Sequence, residues 1–172
     1  MLDLLEQMIS SVVTGIIASI VFYFVLYLIK PRIKLSDVMC IDSESDKYKI
    51  MKIKVVNLSH SMLMNINYTL HYCVDYEDGL TDVTEIPPKK PPLSTFAKYT
   101  RKNTDYAIRI TYKIPNDSFP LRDNVKLVFT IQTTHPISNT SKCVGKDYRK
   151  DDIKRGTFES GRSTKFILRR EA

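Results

Sequence analysis

From Met8 to Ile29 the chain reads MISSVVTGIIASIVFYFVLYLI, without Asp, Glu, Lys, Arg, His, Asn, Gln or Pro. As a helix this stretch reaches roughly 33 Å, enough to cross a hydrocarbon layer of about 30 Å. Thirteen of its residues are Ile, Val, Leu or Phe, whose transfer to lipid outweighs the small penalties of Ser10, Ser11, Thr14 and Ser19. The pattern predicts a transmembrane helix. Beyond Pro31, which ends it, apolar residues recur instead with a period of two.

Arg32 to Ile41 reads as a strand and SESD at 43–46 as a polar turn. In KYKIMKIKVVN the alternation changes phase, from Tyr48 and Ile50 to Met51, Ile53 and Val55, which predicts a β-bulge. The clearest strand is INYTLHYCVDY, with Ile66, Tyr68, Leu70, Tyr72, Val74 and Tyr76 on one face. A turn at 77–79 and a short strand to Ile86 follow, and PPKKPP at 87–92 then predicts a stiff, extended crossover. A short strand lies in 93–105. Ile108, Ile110, Tyr112 and Ile114 point inward, as do Val125, Leu127, Phe129 and Ile131. A loop at 134–139, a strand in 140–150, a charged loop at 151–156 and a strand over 163–170 complete the pattern. The expectation is a single N-terminal transmembrane helix in residues 1–30, followed over 31–172 by an all-β antiparallel sandwich or small barrel of seven or eight strands. Tyr68, Tyr72, Phe129 and Phe166 supply its bulk.

Charge adds a direction. All 26 Lys and Arg lie at or beyond position 30, and against 17 acids there they leave that part at +9. No basic residue precedes the helix, whereas Lys30, Arg32 and Lys34 follow it at once, so the β-rich part is expected in the cytoplasm of a cell with its helix in the inner membrane. A basic domain beside an anionic leaflet has the lipid bilayer as one partner, and a phosphorylated ligand such as a nucleotide suits the same charge. Polar lysines on a sheet face serve equally well to solvate it. Nucleic-acid duplex is not expected as a partner.

Within the helix, Ser11, Gly15 and Ser19 form one ridge of small residues and Ser10, Thr14 and Ala18 another beside it. Such faces let two helices approach closely, which points to a homo-oligomer. The alternatives are that small residues are common in membrane helices, and that Ser10, Ser11 and Thr14 line a narrow polar path.

Cys40, Cys73 and Cys143 have no paired spacing and read as reduced, mostly buried thiols. His60, His71 and His135 lack metal-ligand spacing, so no metal is expected. The chain contains no phosphate loop, nucleophile elbow or zinc signature. An enzyme is therefore not expected, nor a cofactor. The polar clusters that remain are Lys98, Arg101 and Lys102 on one loop, Lys146, Arg149 and Lys150 near a strand end, and Lys154 and Arg155 after it. Two of these meeting in the fold would form a phosphate-binding basin, with Tyr99, Tyr106 and Tyr148 able to stack on a base or to finish the core.

The runs YKIMKIKVVNLS, INYTLHYCV, YAIRITYKI, LVFTIQTTHPIS and IKRGTFESG resemble uncharacterised bacterial membrane proteins with one N-terminal helix and a β-rich cytosolic domain. In outline the chain is also similar to membrane-anchored β-barrel effectors of bacterial antiphage systems. That resemblance implies a soluble domain that senses a nucleotide signal and helices that then multimerise and breach the inner membrane, although this chain has one strong helix where several such effectors have two. The expectation is thus a non-enzymatic membrane effector or sensor. The alternative is a passive anchor whose β-domain recruits a cytosolic protein.

Overall fold

The computed structural model describes residues 2–44, 47–100, 105–116 and 122–168, with their side chains except at 2–5, 28, 43 and 44. The chain forms two compact units, Met1–Lys30 and Pro31–Ala172.

The first unit is one helix, α1, over Leu2–Leu28. Its segment Glu6–Tyr27 is long and apolar enough to cross a bilayer, and none of it is buried. Val12, Ile20 and Phe22 each expose more than three-fifths of their surface. An apolar surface of that extent is not left to water. The hydroxyls of Ser11, Thr14 and Ser19 donate back to the carbonyls of Gln7, Ser10 and Gly15 at 2.8–2.9 Å. Their protons are thereby satisfied inside the helix, which lowers the cost of placing them in lipid. The small-residue ridges thus offer shape more than spare donors. Lys30 Nζ lies 3.7 Å from the centre of the Tyr27 ring.

The second unit is a two-sheet β-sandwich. One sheet holds β1 (Ile33–Leu35), β2 (Met39–Glu44), β3 (Tyr48–Asn57), β7 (Ala107–Pro115), β10 (Ile153–Phe158) and β11 (Phe166–Leu168). The other holds β4 (Leu63–Asp75), β5 (Thr81–Ile86), β6 (Leu93–Phe96), β8 (Val125–Thr134) and β9 (Ser141–Tyr148). Both contribute to one core, with Met51, Ile53, Val55, Ile110, Tyr112 and Ile114 from the first layer facing Ile66, Tyr68, Leu70, Leu127, Phe129 and Ile131 from the second. Tyr112 meets Phe129 edge to face across the layers. Each large side chain buried there contributes about 1.5–3 kcal/mol.

Period-two patterning predicted β4, β7 and β8 with their inward residues, except that Tyr76, expected on the same face of β4, lies beyond its end and is exposed. Eleven strands are described instead of seven or eight, in part because residues 32–41 divide into two strands and Ile153–Phe158 forms one where a loop was expected. Residues 32–41 are not one strand. Ser36 Oγ donates to the Val38 carbonyl and the chain kinks, so β1 pairs with Val55–Asn57 and β2 with Lys49–Lys52, in succession along one edge of β3. The irregularity expected in β3 lies in β2, between Ile41 and Ser43, while β3 pairs with β7 in unbroken register from Tyr48↔Pro115 to Val56↔Ala107. Of the expected turn at 43–46, Ser43 and Glu44 belong to β2 and 45–46 lie outside the described residues.

Residues 151–156 are not a charged loop. A single 3₁₀ turn, Lys150–Asp152, delivers the chain into β10, which runs parallel to β2 with Ile153 opposite Met39. That pair departs from the expected all-antiparallel pairing. Gly156 makes the following hairpin possible, since a Cβ there would lie 2.3 Å from the Ile167 carbonyl oxygen and 2.5 Å from the Phe166 ring. Phe166 packs edge to face on Phe158 instead of joining the sandwich core, and Tyr72 lies at the core's margin.

The proline-rich segment 87–92 is extended, as expected, but it is not a crossover between the layers: it joins β5 to β6, which pair in succession with the same strand, β4. Lys89 N–H donates to the Thr111 carbonyl at 2.8 Å, Pro88 bridges to Tyr112, and Tyr68 Oη donates to the carbonyls of Lys90 and Pro91. The edges of both sheets are tied by it.

Candidate functional site

Because β3 and β7 are in register, Lys54 and Arg109 are direct cross-strand partners. Inward positions alternate through Met51, Ile53 and Val55, so Lys54 points to the outer face of its sheet, where a strand lysine is ordinarily solvated. Here it is only 2% exposed. The connection between β10 and β11 folds across that face, and the Lys54 ammonium donates to the carbonyls of Glu159 and of Ser163, the latter at 2.6 Å. Arg109 Nη2 donates to the Phe158 carbonyl at 3.1 Å. Burial pulls the Lys54 ammonium below the usual lysine range, the neighbouring Arg109 charge lowers it further, and Glu159 opposes both.

Lys54, Asp105, Ala107, Arg109, Ser160 and Gly161 line an open cleft of about 370 Å³. That volume is at the small end of ligand pockets, which run from about 300 to 1,000 Å³. Gly161 sits at φ +73°, a left-handed conformation that a Cβ would strain. Beside the cleft Tyr106 is buried and meets Tyr99 edge to face at 4.8 Å, and the Arg162 guanidinium lies 5.0 Å over the Tyr99 ring. The arrangement places a buried lysine and an exposed arginine side by side in an open cleft, with one carboxylate, exposed Asp105, in its lining.

The clusters expected from sequence lie elsewhere. Lys98 is exposed after β6, and Arg101 and Lys102 lie outside the described residues. Lys146 is committed to Asp37 at 2.7 Å, where it holds that carboxyl below the usual carboxylate range. Arg149, Lys150, Lys154 and Arg155 are exposed along the passage from β9 to β10, and Asp147, Asp151 and Asp152 are interspersed with them. None of the five lines the cleft. Tyr148 is fully buried and donates its hydroxyl to the Ser36 carbonyl at 2.8 Å, so it finishes the core and offers no face to a base. Of the junction residues, Arg32 and Lys34 are exposed at the start of the sandwich and Lys30 ends the helical unit.

Cys40 and Cys73 are buried, with their thiols pushed up by burial, and Cys143 is exposed. His135 is buried at the end of β8. Its Nδ1 accepts from the N–H groups of Ile137 and Ser138, and its Nε2 pairs with Ser61 Oγ. No group of three metal-ligating side chains occurs among the described residues. No protein-family model and no curated protein matches the chain.

Proposed function

We propose that this is a single-pass membrane protein without catalytic activity of its own. Its cytosolic β-sandwich takes up a ligand or partner and thereby changes the association of the membrane helices. The observation that carries the reading is that the sandwich takes up the chain from its first residue, Pro31, with no Gly- or Ser-rich stretch before it. Pro31 is buried in the sandwich, Arg32 N–H donates to Ser59 Oγ at 2.8 Å, the Arg32 carbonyl accepts Leu58 N–H at 2.7 Å, and β1 begins at Ile33. Residues held in the sandwich this way add no length to a tether. On the helix, Val12, Gly15, Ile16 and Ser19 line a shallow groove, and a Cβ at Gly15 would meet nothing within 4 Å. Gly15→Leu therefore costs the single helix nothing while filling the approach of a second one. The similarity in outline to antiphage effectors makes bilayer permeabilisation the output to measure.

The test is cross-linking of the full chain in membranes together with leakage from liposomes, with and without phosphorylated small molecules. G15L should lose both the cross-linked oligomer and the leakage. Oligomer and leakage that are indifferent to G15L and to every ligand overturn the reading and leave a passive anchor.

A further inference from the structure

We propose that the cleft between Lys54 and Arg109 binds a phosphate-bearing anion, either a free phosphorylated small molecule or the headgroup of an anionic lipid. This names a ligand class for the receptor domain proposed above and rests on that reading for its biological meaning. The physical argument starts with the register. Like charges directly opposite on adjacent strands are destabilising, and here one member is removed from water as well. Among the described residues no carboxylate forms an ion pair with either. The hydrogen bonds they do make go to backbone carbonyls of Phe158, Glu159 and Ser163, which neutralise no charge.

A lysine ammonium has three donors and a guanidinium five in a fixed fork. Two carbonyls engage the first and one engages the second, so both cations keep donors to offer the cleft. An anion seated there is held by a planar fork and a point charge together, and a doubly charged phosphate matches the pair better than a carboxylate does. Ser160 adds a hydroxyl to the lining, and Gly161 has no side chain to fill the space. Burial of Lys54 strengthens the attraction at that end of the cleft, while exposed Arg109 leaves the other end open to an incoming ligand. Bound anion thus converts a repulsive pair into a bridged one and fastens the β10–β11 connection to β3.

The experiment is calorimetric titration of the full chain in neutral detergent with inorganic phosphate, pyrophosphate and acetate at constant ionic strength. It is joined to amide hydrogen exchange over residues 159–165 in nanodiscs of phosphatidylcholine, alone or with phosphatidic acid. Saturable pyrophosphate binding, with acetate at least tenfold weaker, assigns a free ligand. Protection of 159–165 by phosphatidic acid, with no response to soluble phosphate, assigns a lipid headgroup. In either case Arg109→Gln should weaken the effect at least tenfold and Arg109→Glu abolish it. Neither variant should lower the melting temperature, because each relieves a repulsion, whereas a merely structural arginine would cost stability when replaced. No saturable response in either arm overturns the proposal, as does a folded R109Q that binds within twofold of the unsubstituted chain. If R109Q fails to fold, protection by ligand confined to segments other than 159–165 is the overturning result. Because the helix-association test uses G15L and cross-linking, failure of anion binding leaves it untouched, and failure of G15L leaves the binding result standing.

Discussion

Gly156→Ala should be the most damaging single-methyl change in the sandwich. The added carbon would be placed 2.3 Å from the backbone oxygen of Ile167 and 2.5 and 2.8 Å from two atoms of the Phe166 ring. The ring can tilt, but the oxygen belongs to the strand paired with Gly156, where Gly156 faces Leu168 and Thr157 faces Ile167. Relief therefore requires β10 and β11 to separate by several tenths of an ångström. Overpacking of this kind costs about 1–3 kcal/mol, and contact with backbone puts Gly156→Ala at about 3. For a domain of about 140 residues that corresponds to a fall in Tm of roughly 10 °C. Gly145→Ala is the internal control, since its Cβ would rest at 3.6 Å from Thr130 Oγ1 and 3.7 Å from the Phe129 carbonyl oxygen, ordinary contact distances. The assay is thermal melting of both variants in detergent by circular dichroism, with hydrogen exchange to locate the opening. Exchange in G156A should accelerate first over 153–168, where the carbonyls that cap Lys54 reside. If the two variants melt within 2 °C of each other, the close approach of β10 to β11 is not what requires glycine.

Three further outcomes follow from buried groups. His135 is held neutral by burial, which lowers its pKa from the ordinary 6.5, and Nδ1 is occupied as an acceptor. The unfolded chain therefore binds the proton first, so stability is complete above about pH 6.5 and falls as pH drops toward the folded value; His135→Asn should flatten Tm against pH in that window. Tyr148→Phe removes the donor to the Ser36 carbonyl inside the core and should cost about 1–2 kcal/mol, read as a lower denaturation midpoint with unchanged slope. Of the thiols, Cys143 alone should react with maleimide in the native protein, with Cys40 and Cys73 following only on unfolding, as mass spectrometry would count. Applied to intact spheroplasts, the same reagent reports the side of the membrane that the domain occupies.

What local pattern could reveal, it did. Ile66 to Leu70 and Val125 to Ile131 declare their inward face because the opposing layer buries every second residue. The extended course of 87–92 was legible because adjacent prolines leave few conformations, whereas its linking of two strands that both pair with β4 was not. The kink at Ser36–Val38 was not, since it is fixed by the register of two segments against β3 and not by a turn residue. Nor was β10, whose IKRG reads as polar loop until β2, from far upstream, supplies a pairing edge. The cleft was hidden for the same reason. Lys54 and Arg109 occupy polar phases of their strands and read as solvated; Arg109 is indeed exposed, and only the fold of 159–165 over Lys54 removes the water from that one side chain. The signal available was the Gly161 turn between two short strands.

The joining of β10 to β2 also sets a timetable. Cys40 and Gly156, hydrogen-bonded in the finished sheet, are separated by 116 residues. In a chain emerging from the ribosome, the sheet that β1 to β3 begin stays unfinished until β10, more than a hundred residues later, has been made. During that interval the bare flank of β2 is an adhesive edge, and pairings of such long range are slow to find. Premature termination before residue 153 should consequently yield a species unable to close its own sandwich, one that quality-control proteases would remove.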